Sequence, residues 1–282
     1  MEVLVLSDIT LMPFLKWAGG KRQVIKYIRK YVPHKFNTYY EPFVGAGAVF
    51  FDLLPENAVI NDINSELINV YKVIKYSVEE LILDLKKHVN SEEYFYSIRG
   101  LDRDKVIFNS LTDVEKASRT IYLNKTCYNG LYRVNKSGHF NTPFGRYKNP
   151  EIINEDLLRE ISEYLNNANV VILNCDFEEA IKNISPNDFV YFDPPYDPLS
   201  ETSNFTSYSS LGFSKDDQIR LKEVCDNLND KNIKFLLSNS STDFILDLYS
   251  NYKIEFIQAK RFINSNVNKR GNIQEILVRN YD

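Results

Sequence analysis

Val190-Tyr191-Phe192-Asp193-Pro194-Pro195-Tyr196 places a carboxylate, two prolines and a phenol ring directly after an apolar run that reads as a buried strand. A strand end of this kind lies at the carboxyl edge of a sheet, where open α/β sheets bind ligands. The prolines fix φ and remove two backbone donors, so the loop offers acceptors, the Asp193 carboxylate and the Pro194 carbonyl, with Tyr196 beside them as a flat surface. Two acceptors and a ring suit a planar amine. The same residues also make a stiff turn with Tyr196 packed inward, and the stretch alone supports either reading.

Other candidate groups lie upstream. Phe14-Leu15-Lys16-Trp17-Ala18-Gly19-Gly20-Lys21-Arg22 leads into Val24-Ile25-x-x-Ile28, the spacing of a helix ending near Pro33. Gly19-Gly20-Lys21 is not a phosphate loop, because Leu15 stands where its first glycine belongs and Arg22 where a magnesium-binding hydroxyl belongs. What remains is a tight loop carrying Trp17 and Lys21 at a helix start, with donors suited to a carboxylate. Tyr39 to Phe43 reads as a strand, followed by Val44-Gly45-Ala46-Gly47, a turn opening an apolar helix. Phe50 replaces the third glycine of a dinucleotide fingerprint, which excludes a pyrophosphate site while leaving close backbone approach by some ligand. A second strand, Asn57 to Asn61, ends at Asp62, 15 residues after Gly47 and placed to grip ribose hydroxyls. Asp62 could equally cap the helix beginning near Glu66, a task Asn64 or Ser65 also fits.

The elements positioning these groups alternate. Strands are expected at 170–173, 189–192 and 235–238, with helices at about 155–166 and 214–228 and a terminal antiparallel pair at 254–257 and 273–278. From about 66 to 126 the periodicity is helical, with a cap at Thr112. The run breaks at Tyr128-Asn129-Gly130, and residues 131–141 suggest a short hairpin. Asn264 to Gly271 reads as a polar, basic loop. The expected fold is an α/β sheet at 1–69 and 166–282, interrupted by a mostly helical insertion at 70–165.

Composition narrows the class. The 282 residues are 44% apolar and 26% charged, ordinary for a globular protein. No stretch approaches the roughly 18 consecutive apolar residues of a membrane span, and the opening residues lack a secretory pattern, so a cytoplasmic protein without membrane contact is expected. Cys127, Cys175 and Cys225 are odd in number and scattered, as are the three histidines, which argues against disulfides and against a metal site. The net charge is −4, yet residues 116–150 carry Lys116, Arg119, Lys125, Arg133, Lys136, Arg146 and Lys148 and no acid, a local +7 against −11 elsewhere. A basic stretch interleaved with aromatics suits phosphate and base contacts, although a solvated surface explains the charges as well.

Four motifs stand in one order: Lys16-Trp17-Ala18-Gly19-Gly20-Lys21, Glu41-Pro42-Phe43-Val44-Gly45-Ala46-Gly47, Asn61-Asp62 and Asp193-Pro194-Pro195-Tyr196. With Tyr128 to Arg133, Asn141 to Tyr147 and Ser200 to Phe205, the chain closely resembles, nearly end to end, the Dam-type DNA adenine-N6 methyltransferases whose target-recognition region precedes the Asp-Pro-Pro-Tyr motif. The resemblance implies a Rossmann-like methyltransferase sheet and S-adenosylmethionine as cofactor. It implies cofactor contacts from Trp17, Lys21, Phe43, Gly45, Gly47, Asp62, Asp193, and Asp176-Phe177 beside the adenine ring; Cys175 departs from the Gly often found before that pair. It also implies double-stranded DNA as partner, with Arg133 reading guanine, Leu131 and Pro143 making apolar base contacts, and Tyr128 intercalating. Lys125, Asn129, Asn135, Arg146 and Lys148 complete the expected DNA-binding set. Such enzymes commonly methylate adenine in GATC. A companion restriction endonuclease acting on the same site is compatible with this reading, with no stable complex implied.

The chemistry then assigned to Asp193, Pro194 and Tyr196 follows from the nucleophile. An adenine amino group is neutral but conjugated, and two acceptors taking its two N–H groups favour a pyramidal nitrogen with its lone pair aimed at a methyl donor. Tyr196 would stack on the base once it has left the duplex. Cytosine-C5 chemistry is disfavoured, since no cysteine follows a proline. An RNA-adenine or cytosine-N4 methyltransferase, and a DNA-reading protein of the same fold without turnover, stay open.

Overall fold

Short strands that are apolar at nearly every position need cover on both faces, and a parallel sheet flanked by helices supplies it. The computed structural model of the chain describes residues 11–17, 19–198, 212–260 and 272–282. The expected loop at Asn264–Gly271 and the Ser200–Phe205 motif lie outside the described residues. Seven strands among the described residues form one sheet: β1 (Tyr39–Glu41), β2 (Asn57–Asn61), β3 (Asn169–Leu173), β4 (Phe189–Phe192), β5 (Lys234–Ser240), β6 (Lys253–Lys260) and β7 (Asn272–Arg279). Their order is β3-β2-β1-β4-β5-β7-β6. The first five run parallel, and β7 is antiparallel to both neighbours.

That order has a consequence for the site. From β1 the chain steps to β2 on one side, whereas from β4 it steps to β5 on the other, so β1 and β4 flank the point where the winding reverses. Their register pairs Tyr39 with Phe189 and Tyr40 with Val190. Continued past the last paired residues, it sets Phe43 level with Asp193. The crevice outside the carboxyl ends of such a strand pair is where open α/β sheets bind ligands.

Helices in chain order are α1 (Ile25–Tyr31), α2 (Phe50–Leu53), α3 (Ser65–Tyr76), α4 (Val78–Leu85), α5 (Glu92–Gly100), α6 (Lys105–Ser110), α7 (Asp113–Thr126), α8 (Glu155–Asn167), α9 (Phe177–Ala180), α10 (Lys215–Asp230) and α11 (Asp243–Leu248). One core joins β1 and β2 to α3, α4, α7 and α8 through residues such as Ile60, Leu67, Tyr71, Ile121 and Ile161. A second, on β4, β5 and β7, takes Leu221, Cys225 and Leu228 of α10 and Ile245 of α11. The helix starts follow local chemistry: Asn64 accepts the Leu67 N–H, and Thr112 with Glu115, like Ser214 with Asp217, closes a reciprocal capping box. Asp62 is therefore spared capping duty. None of the helices among the described residues is long and apolar enough to cross a membrane.

A third, smaller core holds the segment between α5 and α8: Phe95, Tyr122, Leu123, Cys127, Tyr132, Val134 and Phe140. Here the expected short hairpin is pared down to one antiparallel bridge, Val134 to Phe140, flanked by two backbone bonds, Asn135 N–H to the His139 carbonyl and Asn141 N–H to the Arg133 carbonyl, 2.9 Å each. The Asn135 side-chain oxygen accepts the Ser137 and His139 N–H groups, 3.0 Å each, and closes the turn between them. The basic stretch also needs correction. Arg119 is 2% exposed, its guanidinium paired with Asp102 at 2.8 Å and Glu66 at 3.4 Å and bonded to the Ile98 and Arg99 carbonyls. A cation neutralised inside the protein adds nothing to a surface field, so one of the seven charges counted in 116–150 is structural.

Candidate active site

Asp193 leaves the end of β4 with its side chain mostly out of water, and its Oδ1 lies 2.9 Å from Lys21 Nζ, itself 5% exposed. The contact is an ion pair. Oδ1 has no aligned hydrogen bond among the described residues. The Lys21 ammonium also donates to the Gly19 carbonyl at 2.5 Å and sits 4.7 Å from the centre of the Tyr196 ring. The carboxylate anticipated for the Gly19-Gly20-Lys21 loop is thus Asp193 itself. Burial pushes the Asp193 carboxyl up to about 6, and Lys21 works against that rise.

The Pro-Pro loop is held from outside. The Pro195 carbonyl accepts from Gln218 Nε2 at 2.9 Å, Gln218 Oε1 accepts from Asn239 Nδ2 at 3.0 Å, and the Tyr196 hydroxyl donates to Glu275 at 3.0 Å. Asp197, one residue on, is fixed by Thr242 and Asn239. Pro194 is buried and its carbonyl has no donor among the described residues. Two acceptors, Asp193 Oδ1 and Pro194 O, therefore remain for an outside group. Behind them Glu41 is 2% exposed and takes the Tyr39 hydroxyl at 2.7 Å. Burial drives its carboxyl well above the usual range, the Asp193 charge adds to that, and the Tyr39 hydrogen bond opposes it.

The neighbouring strand end is built around Asn61, which is fully buried. Its Nδ2 donates to the Pro42 and Cys175 carbonyls at 3.0 Å, and its Oδ1 accepts the Cys175 N–H at 2.9 Å, so one amide ties the loops after β1, β2 and β3. Asp62 accepts from the Gly45 and Asn64 N–H groups at 3.1 and 2.9 Å. Each of its oxygens keeps a lone pair for a further donor. Burial raises this carboxyl to about 6 as well, against its two backbone bonds. Gly47 has φ +73°, and a Cβ there would stand 2.7 Å from the Tyr71 hydroxyl, which itself donates to the Gly45 carbonyl at 3.0 Å. Gly45 has φ +50° and lies under the Trp17 indole.

The sequence profile of the D12 class N6 adenine-specific DNA methyltransferases matches residues 17–263. Type II methyltransferase M1.LlaDCHI of Lactococcus lactis subsp. cremoris is 48% identical over 283 residues, covering 100% of this chain and 99% of that protein. Type II methyltransferase M.MjaIII of Methanocaldococcus jannaschii is 43% identical over 95% of this chain and 99% of that protein. The DNA adenine methylase of Escherichia coli K12 is 35% identical over 94% and 93%. The chain belongs to the D12 class of adenine-specific DNA methyltransferases.

Methyltransferases of this class imply S-adenosylmethionine, and the described residues fit it. Gly45 brings the backbone of the turn directly under Trp17, Asp62 has acceptor capacity for ribose hydroxyls, and Phe43, half-buried beside Phe177, offers an apolar surface for a purine. Their ring centres are already 5.4 Å apart, with Phe213 5.7 Å from Phe43, so a purine fits against this group and not between its rings. Asp176 is engaged: Arg220 Nη2 contacts both its oxygens at 2.8 and 2.9 Å, while the guanidinium lies 4.7 Å above Phe177 and reaches Glu178.

The residues expected to read DNA gather in the loop after α7 of this D12-class enzyme. Tyr128 is 57% exposed, with its N–H held by the Pro143 carbonyl at 2.8 Å. Asn129 has φ +58° and is exposed, its N–H bonded to the Tyr147 hydroxyl. Arg133 is half-buried, its Nε fixed by Asn141 Oδ1 at 2.7 Å, which aims the rest of the fork outward. Leu131 is half-buried, and Pro143, Arg146 and Lys148 are exposed, with Arg146 3.5 Å from Glu92. Two members stand apart. Asn135 spends its acceptor on the loop itself, and Lys125 is half-buried, with burial pulling its ammonium down against the Glu151 charge. No group of three or more His, Cys, Asp or Glu placed to hold a metal occurs among the described residues.

Sequence reading missed the supports, Glu41, Asn61, Gln218, Asn239, Arg220 and Glu275. Asn61 carried a signal, a polar residue closing an apolar strand directly before an acid, but its side-chain partners Pro42 and Cys175 are 19 and 114 residues distant and only folding brings them together. One kinetic consequence follows from the raised Asp193 carboxyl. It is the far stronger acceptor when ionised, so kcat/KM for DNA at saturating cofactor should rise as pH increases through about 6. A profile flat down to pH 5 would show Asp193 to titrate like an ordinary carboxyl.

Proposed function

We propose that this enzyme binds S-adenosylmethionine along the Trp17, Phe43–Gly47, Asp62 and Phe177 edge and methylates N6 of an adenine turned out of a DNA duplex, in the site GATC. The observation that carries the reading is the pair of acceptors beside the Tyr196 ring at the reversal of the sheet: Asp193 Oδ1, which has no aligned hydrogen bond among the described residues, and the carbonyl of Pro194. When bound, the cofactor supplies the electrophilic methyl group. Asp193 and Pro194 each accept one N–H of the amine, which loosens its conjugation with the ring and favours the positive charge developing on nitrogen. Tyr196, anchored through Glu275, gives the base a stacking face that offsets part of the few kcal/mol spent on unstacking. An incoming amine shares Asp193 with Lys21, whose ammonium keeps the buried carboxylate ionised.

The division of labour we propose is catalysis by residues 1–69 and 166–282 and target recognition by 70–165. Arg133, pre-aimed by Asn141, presents a fork to guanine; Tyr128 wedges into the stack; Leu131 and Pro143 touch bases; and Asn129, Arg146 and Lys148 meet phosphate. The half-buried Lys125 and the self-bonded Asn135 act by shaping this loop. The D12 relatives named type II methyltransferases support a cellular role beside an endonuclease cutting the same site, in the cytoplasm.

Incubating the enzyme and S-adenosylmethionine with duplex DNA and with RNA, then sequencing modified bases, tests base, site and substrate together; N6-methyladenine in GATC of the duplex is expected, and methylation confined to RNA overturns the reading. Asp193→Ala should lower methyl transfer by at least about 10²-fold while Trp17 fluorescence still reports cofactor binding. Near-normal turnover in that variant would sink the clamp. For Arg133→Ala, discrimination at one guanine should fall by about 1 to 3 kcal/mol, read as the ratio of kcat/KM on cognate and substituted duplexes.

A further inference from the structure

Tyr132 sits between the two residues assigned to base contact, yet it points the other way. It is 4% exposed, whereas Leu131 and Arg133 are both half-buried and reach toward the surface. Its ring stacks on the Trp17 indole, centres 4.7 Å apart at 27°. Trp17 in turn covers Gly45, where a Cβ would come within 3.1 Å of the indole. The Gly45 N–H donates to the Asp62 carboxylate at 3.1 Å. One side chain of the recognition loop therefore rests, through Trp17, on the turn that is bonded to Asp62.

The backbone makes a second connection beside it. Asn124, fully buried near the end of α7, accepts the Lys16 N–H at 3.0 Å and donates to the Lys16 carbonyl at 2.8 Å and the Gly130 carbonyl at 3.1 Å. Gly130 has φ +64°, and a Cβ there would stand 2.5 Å from the Lys16 stem. The Lys16-Trp17 segment is thus fastened to the turn that carries Tyr128 to Gly130. Nothing in this packing slides without breaking a buried hydrogen bond or an aromatic stack, so a shift of Trp17 on ligand binding is passed to residues 128–133.

We infer that Tyr132, seated by Asn124, is the positioning residue that couples cofactor binding to base reading: a ligand that settles Trp17 and the Asp62 end also settles Leu131 and Arg133. The inference rests on the cofactor edge and recognition loop proposed above. Coupling of this kind is reciprocal, so the factor by which DNA tightens cofactor binding equals the factor by which cofactor tightens DNA binding.

The test uses the full-length protein, in which Trp17 is the single tryptophan and reports on the contact directly. Kd for S-adenosylhomocysteine is measured by Trp17 fluorescence with and without a duplex carrying the methylated site found by sequencing. The parent should show roughly tenfold tighter binding with DNA, and Tyr132→Leu should bring that ratio to within twofold of unity while leaving cofactor affinity without DNA within about threefold of the parent. Tyr132→Phe, which keeps the stack on Trp17, should retain most of the parental ratio. Asn124→Asp, which keeps the acceptor and loses both donors, provides the same reading should Tyr132→Leu not fold. A parental ratio near unity, or an unchanged ratio in folded Tyr132→Leu or Asn124→Asp protein, overturns the inference. Absence of methyl transfer by the parent enzyme would instead overturn the functional reading, which separates the two failures.

Discussion

A carboxylate held mostly out of water costs free energy unless something nearby favours its charge, and the site of this protein is arranged around that constraint. Asp193 has one ammonium beside it, Lys21, and an oxygen with no aligned donor among the described residues. Lys21 is itself buried and needs the carboxylate for the same reason. The Gly19 carbonyl and the Tyr196 face complete its surroundings, so the N-terminal motif and the Asp-Pro-Pro-Tyr motif depend on each other electrostatically. Behind them burial and the Asp193 charge both oppose the ionisation of Glu41, while the Tyr39 hydrogen bond favours it. A second full charge there would compete for the same lysine.

The surrounding polar residues serve to hold acceptors still. Gln218, held by Asn239, occupies the Pro195 carbonyl and leaves that of Pro194 without it. Asn61 does for the loops after β1 and β3 what the two prolines do for the loop after β4. Fixed acceptors need no reorganisation when charge develops on a substrate nitrogen, which is how a preorganised site gains over water. The clamp we propose thus has its rigidity distributed over several buried amides.

The loop we propose for target recognition is anchored by similar means. Arg119, Asp102 and Glu66 join the segment before the loop to α3, with Asp102 also accepting the Phe140 N–H at 2.8 Å. A buried, multiply bonded ion pair fixes geometry more than it adds stability. Arg133 receives its aim from Asn141 in the same spirit. The cofactor edge and the loop then meet at Trp17 and Tyr132.

The sequence by itself determined the strand positions, the cap at Thr112, the order of the motifs and the family, because each rests on local periodicity, capping chemistry or residue order. It announced Asp193, Pro194 and Tyr196 as acceptors beside a ring and a short hairpin at 131–141, and it left the cap of α3 open among Asp62, Asn64 and Ser65. It also counted Arg119 as surface charge, since burial of a cation does not appear in a charge pattern. Only the tertiary structure decided that Lys21 faces Asp193, that Arg220 occupies Asp176, and that Tyr132 turns inward onto Trp17. Those outcomes depend on groups from distant parts of the chain sharing one low-dielectric space, and the energy of such a contact is set by distance and burial, neither of which is written in sequence order.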